Sequence, residues 1–278
     1  MLSPYGQYNI MHHKMIPLIM DNPLVRKNRK TGEAKIYHAQ TQSLNDLCRK
    51  ARGTGTSINK LASTAKIHQA LTPELNEMFF TQTLILVEGQ EDAAYLTTYF
   101  HLCGMWDEFR RLGCHIVPTN SKSRMLQPRA IARLLQIPTF TIFDSDGDEY
   151  ADKSKNNHTM HLNDNTALLW ICEHADSDAF PPSHLWLQGC TVWSSNIGKA
   201  FFADVSYERL HPIKEQLEKD YGQPGDMKKN VLFISDLLAL AWESDVRSAL
   251  LQRLCGDILT FARISHDIHE SPCDQQTA

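Results

Sequence analysis

The stretch FTIFDSDGDE, residues 140–149, runs from an apolar segment directly into three alternating aspartates, Asp144, Asp146 and Asp148. Read upstream from Asp144, IPTFTIFD (137–144) has the continuous apolar character of a strand covered on both faces. Two more segments share it: GCHIVPT (113–119) and TLILVEG (83–89), the latter ending in Glu88 and a glycine. Between them lie two helical patterns. DAAYLTTYFHLCGM (92–105) has Asp92 near its start, where the helix dipole favours negative charge. SKSRMLQPRAIARLLQ (121–136) is basic, and Pro128 predicts an interruption within it. Strand–helix–strand–helix–strand with buried strands predicts an α/β fold with a parallel sheet flanked by helices. In such sheets the chemistry lies at the carboxyl ends of the strands, where Glu88 and Asp144 both fall.

Carboxylates gathered in one place raise each other's pKa or require a cation. Hard divalent ions, Mg²⁺ above all, take oxygen ligands and leave positions for water and phosphate. Glu88 at one strand end with Asp144 and Asp146 at another is therefore a candidate Mg²⁺ or Mn²⁺ site for one or two ions. The turn after the strand would swing Asp146 inward. Three other readings of the acidic run stay open. An Asp- and Gly-rich surface turn is a common way to end a strand. A calcium loop of the EF-hand kind places Gly sixth, whereas Gly147 comes fourth. A haloacid-dehalogenase-like phosphatase uses an Asp-x-Asp-Gly after a strand, but it lacks a preceding strand with its own Glu.

The pair of motifs VEGQED (87–92) and FDSDGD (143–148), on separate strands and in this order, resembles the Toprim domain of topoisomerases, primases and OLD-family (overcoming lysogenization defect) nucleases. LNEMFFTQTLILVEGQEDAAYL (75–96) is similar to the OLD-type entry into that domain. HIVPTNSKSRMLQPRAIARLLQIPTFTIFDSDGD is similar to its continuation, with Lys122 in a small polar turn ahead of the helix. The resemblance implies a Toprim-like sheet and metal-dependent hydrolysis of DNA phosphodiesters. It implies metal ligation by Glu88, Asp144 and Asp146, a supporting or second-metal role for Asp92, and a peripheral one for Asp148. Glu88 would also be the general base. Lys122, and Lys228 or Lys229 ahead of a late helix, would offset phosphate charge. OLD proteins join this domain to an ABC-type ATPase and serve in defence against phage. No Gly-x-x-x-x-Gly-Lys-Ser/Thr phosphate loop occurs here, so the resemblance implies an ATPase region or separate subunit as partner. The family's late acid is missing. TVWSSNIGKAFF (191–202) offers Ser194, Ser195, Gly198 and Lys199 where Glu is expected, with Asp204 or Glu208 as substitutes. That departure supports the alternative of an incomplete Toprim module that docks an ATPase.

The flanks are less specific. MIPLIM (15–20) and the basic RKNRKTGEAK (26–35) suggest strands joined by a hairpin. LNDLCRKA, SINKLASTAKIHQAL and TPELNEMFF (43–80) are helical in pattern. Residues 150–182 are polar apart from a helical TALLWICEHA (166–175), which leaves His158 and His161 in a loop. HLWLQGCTVW (184–193) reads as one or two strands, and 198–220 and 229–264 as mostly helical. The division expected is a lead-in region 1–80, a catalytic core 81–205 and a helical region 206–278. With 28 basic and 32 acidic residues the net charge is −4, so DNA contact requires a local patch. Seven scattered cysteines with no CxxC pair argue against zinc. The absence of a secretory or membrane-spanning apolar run predicts a cytoplasmic protein, with no membrane partner and with homo-oligomerisation open.

Overall fold

The computed structural model describes residues 24–27, 34–37, 40–53, 73–222 and 229–270. At the start, β1 (Leu24–Lys27) pairs antiparallel with β2 (Ala34–Tyr37) as the expected hairpin; MIPLIM and SINKLASTAKIHQAL lie outside the described residues. Helix α1 (Thr41–Ala51) follows, and a short helical turn, Pro73–Asn76, leads through Glu77–Phe80 into the sheet.

The central sheet has five strands in the order β4-β3-β5-β7-β6. Strands β3 (Thr83–Val87), β4 (Cys114–Pro118), β5 (Thr139–Asp144) and β7 (Cys190–Trp193) are mutually parallel. The edge strand β6 (Leu185–Leu187) turns back antiparallel on β7 through Gly189, whose φ of +69° favours glycine. The fold is α/β as the apolar runs predict. Only the edge departs from parallel, because a two-residue hairpin cannot make a crossover.

Alternation within the strands splits the core. Ile85, Val87, Phe140, Ile142 and Trp193 face one layer, formed by α2 (Gln90–Leu102), α3 (Trp106–Arg111), α6 (Ile197–Asp204), α7 (Tyr207–Asp220), α8 (Val231–Glu243) and α9 (Ala249–Glu270). Leu84, Leu86, Val117, Phe143 and Val192 face the other, formed by α1, α4 (Lys122–Leu134) and α5 (His158–Ile171).

Two helices differ from the sequence reading. Helix α4 runs unbroken through Pro128. The proline removes a single N–H from the ladder, and the helix is held on both sides of it by buried Met125, Leu126, Ala130 and Ile131. Helix α5 begins at His158 rather than near Thr166, which places His158 and His161 on a helix rather than in a loop. Its first half is polar yet largely anchored: His158 Nδ1 lies 2.7 Å from the Tyr150 carbonyl, and the buried Asn165 donates to the carbonyls of Ser145 (2.9 Å) and Ala179 (2.8 Å). Buried polar groups that are hydrogen-bonded in this way carry no apolar period for a sequence pattern to detect.

Asp204, one of the substitute acids considered above, ends α6. Its carboxylate accepts from Ser248 Oγ (2.7 Å) and from the Leu250 N–H at the start of α9 (2.9 Å). Hydrogen bonds to a charged group of this kind are worth about 1.5–3 kcal/mol. Asp204→Ala is expected to lower unfolding stability by ~2 kcal/mol in urea titration. A change within experimental error would mean that this tie carries no weight.

Candidate metal centre

The strand order contains a switch point. The crossover from β3 through α2 reaches β4 on one side. The crossover from β4 through α4 passes over β3 and lands on its other side as β5. The two helices therefore lie on opposite faces, and a crevice opens between the carboxyl ends of β3 and β5, the place where α/β sheets bind ligands. Glu88 follows β3 and Asp144 ends β5, so the topology alone puts both acids at that crevice.

The loop after β5 is fixed from behind. Ser145 donates its N–H to the Trp193 carbonyl (2.8 Å) and its hydroxyl to the Ser194 carbonyl (2.9 Å), and the Gly147 N–H also donates to Ser194 (3.0 Å). A Cβ on Gly147 would stand 3.2 Å from that carbonyl, which explains the close-approach glycine. Clamped in this way, the chain passes Asp146 in the left-handed region, φ 54° and ψ 31°. Aspartate tolerates that conformation better than most residues, and the turn aims its carboxylate back at the crevice as expected.

Glu88, Asp92, Asp144 and Asp146 all line a cleft of about 550 Å³. Burial is the main force on three of them. It raises Glu88, with Asp146 adding repulsion and the Lys122 ammonium opposing it. Asp92 is pushed up to about 8 by burial, against the Gly89 N–H it accepts, with Glu88 and Glu91 adding to the rise. Asp144 is raised well above the carboxylate range by burial and then by Asp92, Glu88 and Asp146. Glu88 Oε2 and Asp144 Oδ1 are buried with no hydrogen-bond donor. Orphaned, mutually repelling carboxylate oxygens at a strand-end crevice fit a hard divalent cation. Among the described residues no three His, Cys, Asp or Glu side chains enclose an ion by themselves.

The other expected residues are placed as follows. Asp92 accepts the Gly89 N–H at 2.7 Å and so caps α2. Lys122 is the first residue of α4 rather than part of a turn, and it is only 5 % exposed. Its Nζ donates to Asp146 Oδ2 (2.5 Å) and to the Asp144 carbonyl (2.7 Å). It is therefore a partner of the acids and does not line the cleft. Asp148 turns outward, 41 % exposed, and pairs with Lys199 at 2.7 Å. Lys228 lies outside the described residues. Lys229 lines the cleft, 87 % exposed and 3.9 Å from Glu91. Gly198 and Lys199 also line it, where a late acid was sought. Asp204 is engaged with α9, and Glu208 is exposed and bonded by Ser206 at 2.9 Å.

The sequence reading left His161 in a polar loop away from the site. Its Nδ1 lies 3.1 Å from Asp146 Oδ2, and its ring stacks on Tyr150 with centroids 4.0 Å apart. Burial and the nearby Lys122 lower its pKa. The three-residue step from His158, which places both on one helix face, was the only signal available.

Residues 79–146 match the family model described as "Overcoming lysogenization defect protein-like, TOPRIM domain". No curated protein matches the chain. The match spans the strands and helices that build the crevice and ends at Asp146, so these residues form a Toprim domain of the OLD-like type. A domain of this kind points to metal-linked chemistry on nucleic acids. No described helix is long and apolar enough to cross a membrane.

Carboxyl groups raised on folding hold protons that the unfolded chain has released. Stability without metal must therefore fall as pH rises between the unfolded and folded values, for Asp92 between 3.8 and about 8. In EDTA the melting temperature is expected to drop by several degrees from pH 5 to pH 8. Mg²⁺ should restore more of it at pH 8, because it binds the deprotonated folded form. A flat or rising melting temperature over that interval in EDTA would contradict the assignment.

Proposed function

We propose that the chain is a metal-dependent DNA endonuclease of the OLD Toprim type, working with an ATPase region or separate ATPase subunit. Defence against phage is the setting that the resemblance implies. The observation that supports this most is the meeting of Glu88 and Asp144 at the β3/β5 crevice, each with a buried oxygen that no donor satisfies. A bound Mg²⁺ would polarise the phosphate and acidify an attacking water. Glu88, whose carboxyl is raised above its ordinary value by burial, is suited to accept that water's proton.

The cleft walls fit the substrate class. Lys199, Lys214 and Lys229 bring positive charge to an otherwise acidic opening. Phe202, Phe233, Ile234 and Leu237 supply an apolar wall that excludes water and offers a surface for a sugar or base. The chain as a whole carries net charge −4, and these lysines, each beside a carboxylate, are the cations that the cleft offers to a phosphate.

A second reading, a docking module with an incomplete site, is favoured by one observation. Gly198 and Lys199 stand at the cleft where an acid was sought, and Lys199 is tied to Asp148 and Glu149. The two readings separate on supercoiled plasmid incubated with Mg²⁺, Mn²⁺ or EDTA. A nuclease nicks the plasmid with metal and loses on the order of 100-fold or more in Asp144→Asn and Glu88→Gln, with the fold retained by circular dichroism. Undiminished cleavage in both variants would refute the site, and absence of metal-dependent cleavage in the wild type, both alone and with its ATPase supplied, would select the docking module.

A further inference from the structure

The acids around the crevice are not equivalent. Asp92 is committed to the Gly89 N–H, Asp148 to Lys199, and Asp204 to Ser248 and Leu250. Asp146 is committed most firmly, since Lys122 Nζ sits 2.5 Å from its Oδ2 and reaches the Asp144 carbonyl at 2.7 Å. At 5 % exposure the ammonium has lost nearly all of its water. Desolvated ammonium groups persist only where a counter-charge holds them, and Asp146 is that charge. Donor-free oxygens then remain on Glu88 and Asp144.

Resting on the metal-dependent reading above, we propose that this site holds one divalent ion, on Glu88 and Asp144, and that the Lys122 ammonium is its built-in second cation, fixed on Asp146 where a second ion would otherwise bind. Charge balance supports this division. Glu88, Asp144 and Asp146 carry one negative charge each when ionised, which Lys122 and one divalent ion match. A further divalent ion beside the ammonium would meet its repulsion at short range in a site that water screens poorly. The other acids at the cleft are engaged elsewhere, Asp92 with the Gly89 N–H, Glu218 with Lys214 and Glu91 near Lys229, and Lys199 occupies the late position. The remaining coordination positions fall to water and phosphate.

The test counts ions on the full chain, with Mn²⁺ as the probe, by equilibrium dialysis and electron paramagnetic resonance without substrate. The wild type is expected to take up one Mn²⁺ per chain, lost in Asp144→Asn. Lys122→Met, which frees Asp146, should raise the count to two. The double variant Lys122→Met/Asp146→Asn, which replaces the ion pair by neutral side chains of similar shape, should return it to one and guards against a single variant that fails to fold. Two ions in the wild type, one ion in a folded Lys122→Met, or loss of the ion in a folded double variant would each overturn the inference while leaving metal dependence standing. No Mn²⁺ uptake in the wild type at millimolar concentration would overturn the metal-dependent reading itself, and the inference with it.

Discussion

The site depends on one electrostatic conflict. The β3/β5 switch point brings Glu88 and Asp144 to neighbouring strand ends, and the turn at Asp146 adds a third carboxylate. Burial makes each charge expensive, and proximity makes them expensive together. The fold relieves part of this with Lys122, an ammonium delivered from the opposite layer by the first turn of α4. It leaves the rest unrelieved: Glu88 and Asp144 line the cleft, and each keeps a buried oxygen without a donor. Unsatisfied buried acids persist in a native structure only when the surrounding packing over-determines them. Here the clamps from Trp193 and Ser194 onto Ser145 and Gly147, and from Asn165 onto Ser145, supply that packing.

The helices beyond the matched segment are part of the same construction. Leu210 of α7, Phe233 and Leu237 of α8 and Ile258 of α9 share a core with Ile85 of β3 and Phe140 of β5. Tyr99 of α2 receives the Ser248 N–H across the sequence at 2.5 Å. Lys214, Phe233 and Ile234 of these helices also line the cleft whose base is acidic. The strand ends supply the carboxylates, and the later helices supply the wall and the positive rim.

What the sequence made legible follows from what a one-dimensional pattern can carry. The strands of the Toprim core showed because each is a continuous apolar run, and Glu88 and Asp144 showed because each ends such a run. The direction of a long flexible side chain is not written in spacing. Lys122 was read as a group for the phosphate, whereas it points inward to Asp146. Asp148 was placed at the periphery of the metal, whereas two more residues of chain carry it outward to Lys199. His161 was left in a loop because the first half of α5 is polar and only partly buried, a combination with no hydropathic period. Pro128 misled for the opposite reason: the local rule for proline is sound, but the packing of α4 on both sides outweighs one missing hydrogen bond.

Coulomb's law also imposes an order of assembly on the cleft. Without a divalent ion, a phosphate entering past Lys229 meets Glu88 and Asp144 at the base, and the cation nearest them is already held by Asp146. The rim offers little compensation, since Lys199 is shared between Asp148 and Glu149 and Lys214 lies 2.5 Å from Glu218. A polyanion is therefore repelled where the chemistry would occur until the two orphaned carboxylates are neutralised. Were an ion to sit on them, its two positive charges would cancel theirs, and the same low-dielectric walls that made the acids costly would strengthen the attraction of its open coordination positions for phosphate. On the function proposed above, metal first and nucleic acid second is the order that this arrangement of charges would favour, with the buried Lys122–Asp146 pair keeping the third carboxylate off the ion.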